Sequence, residues 1–98
     1  MRYRSRTDII GMVLQAAGRK SGANKTRLMY SAFLSYAQVK EYTDYLMEKG
    51  LLIYEKETQL YRLSHKGLEF LELYDRMNDL INADRDKELK AVAFDDSA

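Results

Sequence analysis

The clearest alternation of apolar and polar positions runs from Asn24 to Leu52, NKTRLMYSAFLSYAQVKEYTDYLMEKGLL. Val39, Tyr42, Thr43 and Leu46 recur at helical spacing on one face, and Lys40, Glu41, Asp44 and Glu48 fall on the other. Ser35 followed three residues later by Gln38 has the form of a capping box, in which the serine oxygen takes an orphan backbone N–H and the glutamine reaches back to the cap. The spacing therefore predicts a helix that opens at about Tyr36. Gly50 ends it, because only glycine enters the left-handed conformation after a helix without steric cost. Before this helix, Asn24 is a good cap for a shorter one that carries Leu28, Met29 and Ala32. Two short helices joined by a tight turn are the pattern of a helix-turn-helix.

Upstream, Ile9, Ile10, Val13, Leu14 and Ala17 follow the spacing of a buried helical face. Ser5 or Thr7 is placed to cap that helix, Asp8 falls in its first turn near the positive end of the dipole, and Gly18 closes it before the polar turn RKSGAN. Downstream, Leu51 to Tyr54 and Leu60 to Leu63 are β-prone runs, with Leu60 and Arg62 facing opposite to Tyr61 and Leu63. The EKETQ between them has hairpin length without an Asn-Gly pair, and reads as a wing.

Ser64 caps a final helix, HKGLEFLELYDRMNDLINADRDKEL, which carries two apolar stripes. Leu68, Leu71, Tyr74 and Ile81 mark one, and Phe70, Leu73, Met77 and Leu80 mark the other. Two stripes need two surfaces: one covers the winged domain, and the other meets the same helix of a second copy over about two heptads. The dimer contact is expected from Phe70, Leu73, Tyr74, Met77, Leu80 and Ile81, extended by Leu89, Val92 and Phe94 or ending before them. The alternative packs both stripes within one chain. The predicted fold is mainly α with a small β-hairpin, a winged helix-turn-helix followed by a long C-terminal helix. Residues 1–63 form the winged domain with a basic N-terminal arm, 64–94 the dimerisation helix and 95–98 a tail.

Composition narrows the function classes. The chain has 98 residues, one small domain in size, and no cysteine, which excludes disulfides, thiolate nucleophiles and zinc ribbons. No apolar run approaches the roughly 20 residues of a membrane span, and MRYRSRTDII lacks the apolar core of a secretory signal. A cytoplasmic, nucleoid-associated protein is expected. The net charge of +1 hides a strong segregation: residues 1–40 carry eight basic side chains against Asp8 alone, and the remainder carries eight basic against fourteen acidic ones. One end attracts phosphate and the other repels it. His65 is the single histidine, the carboxylates are spread along exposed helical faces, and no Gly-rich phosphate loop is present. No catalytic constellation, metal site or cofactor is predicted.

The candidate contacts to double-stranded DNA follow from these placements. Lys25, Thr26 and Arg27 lie in the first turn of the second helix, where cations oppose the helix dipole and make more sense with a phosphate in front of them. Ser35, Tyr36, Gln38 and Lys40 open the third helix with side chains able to touch base edges and phosphates, although Tyr36 also suits packing on the second helix and Gln38 suits the capping box alone. Arg2, Arg4 and Arg6 alternate with Tyr3 and Ser5 in an arm suited to the DNA backbone or minor groove, and the wing offers Lys56, Gln59 or Arg62. A rival class is a protein-interaction module on the same scaffold, with Tyr36 and Tyr45 as anchors.

The run GANKTRLMYSAFLSYAQVKEYTDYLMEKGLL, followed by YRLSHKGLEFLELY, resembles the small archaeal winged-helix proteins that serve as chromatin components or transcriptional regulators. The likeness spans about residues 5–81 and is most specific in NKTRLMY, LSYAQVKEY and EKGLL. It implies a winged helix-turn-helix, double-stranded DNA as partner and an antiparallel coiled-coil homodimer. The chain departs from the family in an acidic interruption after Ile81, and its weak net basicity suits a regulator better than an abundant DNA-coating protein.

Overall fold

Three capped helices, a hairpin and one long helix follow one another in the computed structural model, which describes the backbone of residues 4–97 and the side chains of residues 4–82. They are α1 (Arg6–Ala17), α2 (Lys25–Ala32), α3 (Tyr36–Glu48), β1 (Leu52–Glu55), β2 (Leu60–Leu63) and α4 (His65–Ser97). Arg2 and the side chains of Leu89, Val92 and Phe94 lie outside the described residues.

Each of the first three helices starts where a side chain satisfies backbone donors that the helix itself leaves orphaned. Ser5, not Thr7, caps α1: its Oγ accepts from the Asp8 amide at 3.0 Å, and Asp8 Oδ2 accepts from the Ser5 amide at 3.2 Å. Asn24 Oδ1 accepts from the Arg27 amide at 2.8 Å at the start of α2. At α3 the box is complete, with Gln38 Oε1 accepting from the Ser35 amide at 2.9 Å and Ser35 Oγ from the Gln38 amide at 3.1 Å. The core is where the inward faces of these helices meet, and Val13, Leu14, Leu28, Ala32, Val39 and Leu46 have no exposed surface. Thr43 joins them because its hydroxyl donates to the Lys40 carbonyl at 3.1 Å, which removes the cost of burying it unpaired.

β1 and β2 pair antiparallel with Leu52 opposite Leu63 and Glu55 opposite Leu60. Across the strands the buried Tyr61 ring packs against the more exposed Tyr54 ring in a tilted pair, 4.8 Å apart at their centroids. The wing turn lacks glycine, and Gln59 takes the left-handed conformation at φ 57° while its amide donates to the Glu55 carbonyl at 2.7 Å. On its other edge β2 meets Ala23, which exchanges two backbone hydrogen bonds with Tyr61 at 3.0 and 2.7 Å. The turn RKSGAN thus supplies a third, one-residue strand that its polar composition did not announce.

The two stripes of α4 divide differently from the expectation. Gly67, Leu71 and Tyr74 face inward, and Phe70 is also partly buried against the core. Tyr74, expected in the dimer contact, is engaged within the chain: it is 9% exposed, its ring fills the notch left by Gly11, and its hydroxyl donates to Asp8 Oδ1 at 2.9 Å. The physical reason is that glycine at position 11 leaves α1 open enough for an aromatic ring to reach a carboxylate behind it. Leu68 and Ile81, which share a stripe with Leu71 and Tyr74, are exposed. Leu73, Met77, Leu80 and Ile81 form the outward apolar seam, with Thr7, Phe70, Leu73, Tyr74 and Met77 lining an apolar groove of about 210 Å³ beside it.

Candidate nucleic-acid interface

The starts of α2 and α3 come within side-chain reach because α2 is only eight residues long and a short turn through the left-handed Phe33 joins it to α3. Lys25 Nζ lies 5.0 Å from the centroid of the Tyr36 ring, which joins the first turn of one helix to the first turn of the other. Neither first turn contains an acidic residue, so the positive ends of two helix dipoles and their cations are not neutralised locally. Thr26, Arg27, Ser35, Tyr36, Gln38 and Lys40 are all exposed. Of these, Ser35 and Gln38 are engaged in the capping box, so the carboxamide oxygen of Gln38 is spent on the backbone and not presented to a ligand.

Lys40 pairs with Asp44 one turn later at 3.1 Å, and the hydrogen bond to Asp44, then its charge, raises the lysine above its ordinary range. Both partners are well exposed, so solvent screens the pair and leaves it weak enough for a phosphate to take the lysine over. Lys56 is exposed at the wing tip. These placements leave Lys25, Arg27, Lys40 and Lys56 as cations presented to solvent.

Three predicted cations are committed elsewhere. Arg4 does not extend as an arm: its guanidinium donates to the Ala32 and Phe33 carbonyls, the latter at 3.1 Å, and rests 5.8 Å from the Phe33 ring centroid. The cause is the unfinished C-terminus of α2, whose carbonyls and negative dipole end attract a cation. Arg6 lies over the Tyr45 ring at 4.4 Å and the Tyr42 ring at 5.7 Å, on the flank of α3. Arg62 braces the wing: its Nε donates to Glu55 Oε1 at 2.6 Å and its Nη1 to the Lys20 carbonyl at 3.2 Å. The Arg62 hydrogen bond holds the Glu55 carboxyl below its ordinary range, so the charge on Arg62 is largely compensated within the hairpin.

Sequence reasoning missed two exposed aromatic residues, Tyr30 and Phe33. The available signal was their absence from the Leu28, Met29 and Ala32 stripe. It also passed over Arg19 and Lys20, which with Arg62 and His65 line an open hollow of about 480 Å³ at the far end of β2. His65 faces solvent, 3.8 Å from Glu69. Among the described residues no group of histidines and carboxylates is arranged to hold a metal, and no helix is long and apolar enough to cross a membrane.

No curated protein matches the chain. Among solved structures, that of Sso10a-2, a DNA-binding protein from Sulfolobus solfataricus, superposes with a TM-score of 0.64 over 86% of this chain and 92% of the other. At 21% identity, the likeness is one of fold. The helix-turn-helix of α2 and α3, the β1–β2 wing and the helix that follows are also what a family model recognises over residues 3–82, and the chain belongs to the winged helix-turn-helix family.

Proposed function

We propose that the protein binds double-stranded DNA as a homodimer and serves as a transcriptional regulator or chromatin-associated protein in the cytoplasm. The observation that carries this reading is the junction of the α2 and α3 starts, where Lys25 and Arg27 stand with no acid in either first turn and the exposed Lys40 follows one turn into α3. Lys25, Thr26 and Arg27 grip phosphates, Tyr36 and Lys40 enter the major groove, and Lys56 reaches the backbone from the wing. No step of chemistry is involved. The resemblance of fold to a DNA-binding protein supports the same partner.

The test is a fluorescence-anisotropy titration of duplex DNA at several salt concentrations. About four phosphate contacts per subunit give a log–log slope near −4 for each subunit. Lys25→Ala with Arg27→Ala is expected to reduce that slope by about 2 per subunit and to weaken binding alike on all sequences. A response flat in salt rejects duplex DNA as the partner.

The dimer rests on Leu73, Met77, Leu80 and Ile81, large apolar side chains left exposed along one side of α4. Their spacing of four, three and one suits the seam of a coiled coil with a second copy. In sedimentation equilibrium at micromolar concentration the protein is expected to run as a dimer, and Leu73→Glu with Leu80→Glu as a folded monomer. An unmodified protein that runs as a monomer sinks this part of the reading.

A further inference from the structure

Three aromatic rings stand in solvent around the turn between α2 and α3. Tyr30 is 76% exposed, Phe33 74% and Tyr36 58%. Phe33 is the least expected of them, since its backbone holds the left-handed conformation at φ 54° and ψ 49°, a place where glycine or asparagine would close the helix without penalty. A bulky residue is disfavoured there twice, by its backbone and by its exposed ring, and such departures from local rules cluster at functional positions. Arg4 sits beside the ring, 5.8 Å from its centroid, and bonds to the consecutive Ala32 and Phe33 carbonyls where α2 ends.

Cations are interleaved with these rings. Arg27 lies one helical turn before Tyr30, Tyr30 one turn before Phe33, and Lys25 over Tyr36. No acidic residue occurs between Asp8 and Glu41, so the surface is complementary to a polyanion. Duplex DNA accounts for the cations but offers Phe33 little, because its bases are stacked face to face and the one apolar group a phenyl ring meets on their major-groove edges is a thymine methyl. An unpaired strand presents base faces, on which aromatic side chains stack without regard to sequence.

We infer that the α2–α3 turn is a binding site for single-stranded DNA, in which Tyr30 and Phe33 stack on unpaired bases while Arg27 and Lys25 hold the phosphates between them. The site goes beyond duplex binding and shares with it only Lys25 and Arg27. Its occupant is a melted or displaced strand, and its affinity depends on rings that the duplex does not use.

The experiment compares the full chain and its variants on labelled oligo(dT) of about 12 nucleotides, within the usual span of a single-strand site, and on a duplex. Tyr30→Ala and Phe33→Ala are each expected to weaken oligo(dT) binding about tenfold and to leave duplex binding within about twofold. Phe33→Gly removes the ring while relaxing the backbone, and is expected to lose oligo(dT) equally, which separates loss of stacking from loss of fold. Phe33→Trp introduces the chain's single tryptophan, whose emission is expected to be quenched by oligo(dT). Oligo(dT) binding that is absent while the duplex still binds overturns the inference and leaves the duplex reading intact. Binding of oligo(dT) alone supports it and rejects the duplex. Variants that leave oligo(dT) binding unchanged, or weaken both probes in parallel, overturn it.

Discussion

Gly67→Ala is expected to lower the unfolding free energy by about 3 kcal/mol or more, because the new methyl would have to occupy space held by backbone. A Cβ at position 67 would overlap the Leu51 carbonyl oxygen and stand 3.1 Å from its carbon and 3.4 Å from its Cα. Neither side is free to yield. The Leu51 carbonyl accepts from the Ser64 amide at 3.2 Å, Ser64 Oγ donates to the Gly50 carbonyl, and the Gly67 amide donates to Ser64 Oγ at 2.9 Å. These bonds fix the first turn of α4 to the entrance of β1. Helix propensity works in the opposite direction, favouring alanine over glycine by about 1 kcal/mol, so the sign of the result separates close packing from propensity. Urea denaturation followed by circular dichroism measures it, and an alanine variant as stable as the parent contradicts the close approach of α4 to Leu51. Gly18→Ala is a useful contrast, since its nearest side-chain neighbour is the movable end of Leu63 at 3.0 Å.

The second large effect is expected at the contact that ties α4 to α1. A Cβ on Gly11 would press into the Tyr74 ring, with Cζ at 2.7 Å and Cδ2 at 2.8 Å. Overpacking of this kind costs about 1–3 kcal/mol. Because the obstacle is a side chain, Gly11→Ala combined with Tyr74→Ala should cost less than the sum of the single changes, a coupling that a double-mutant cycle measures. Additive effects would show that the ring does not sit in the notch. The same contact makes stability pH-dependent. The Tyr74 hydroxyl, and after it Ser5, holds the Asp8 carboxyl below its ordinary range. A depressed carboxyl contributes stability that is fully present above its unfolded pKa of about 4 and is lost as pH falls through the folded value. Tyr74→Phe is therefore expected to flatten the fall in urea midpoint below about pH 4, leaving the part due to Ser5. An unchanged acid limb would place the Asp8 shift elsewhere.

Both predictions rest on glycines whose roles no local pattern reveals. Gly50, in contrast, was legible: it follows α3 at φ 77°, where the helix needs a residue without a Cβ. The same holds for the Ser35–Gln38 box, the Asn24 cap and the limits of β2 at Leu60 and Leu63, since each depends on residues a few positions apart. For the candidate site, the placement of Lys25, Arg27 and Lys40 in the opening turns of two helices was legible for that reason. The fates of Arg4 and Arg62 were not. A run of alternating arginines suggests a free arm, yet Arg4 closes a helix end 28 residues away, and Arg62 reaches a carbonyl 42 residues back.

By itself the sequence determined the helices with their caps, the inward stripes of α1 and α3, the two strands of the hairpin and the gathering of positive charge in the first 40 residues. These are set by steric and hydrogen-bonding rules that act within one or two turns of chain. Only the tertiary structure decided which cations remain available, that Ala23 pairs with Tyr61, that Phe33 stands outward from a left-handed turn, and that Tyr74 meets Asp8 across 66 residues. Each of those outcomes is a competition among distant partners for the same donor, carbonyl or cavity, and it is resolved only when the elements pack.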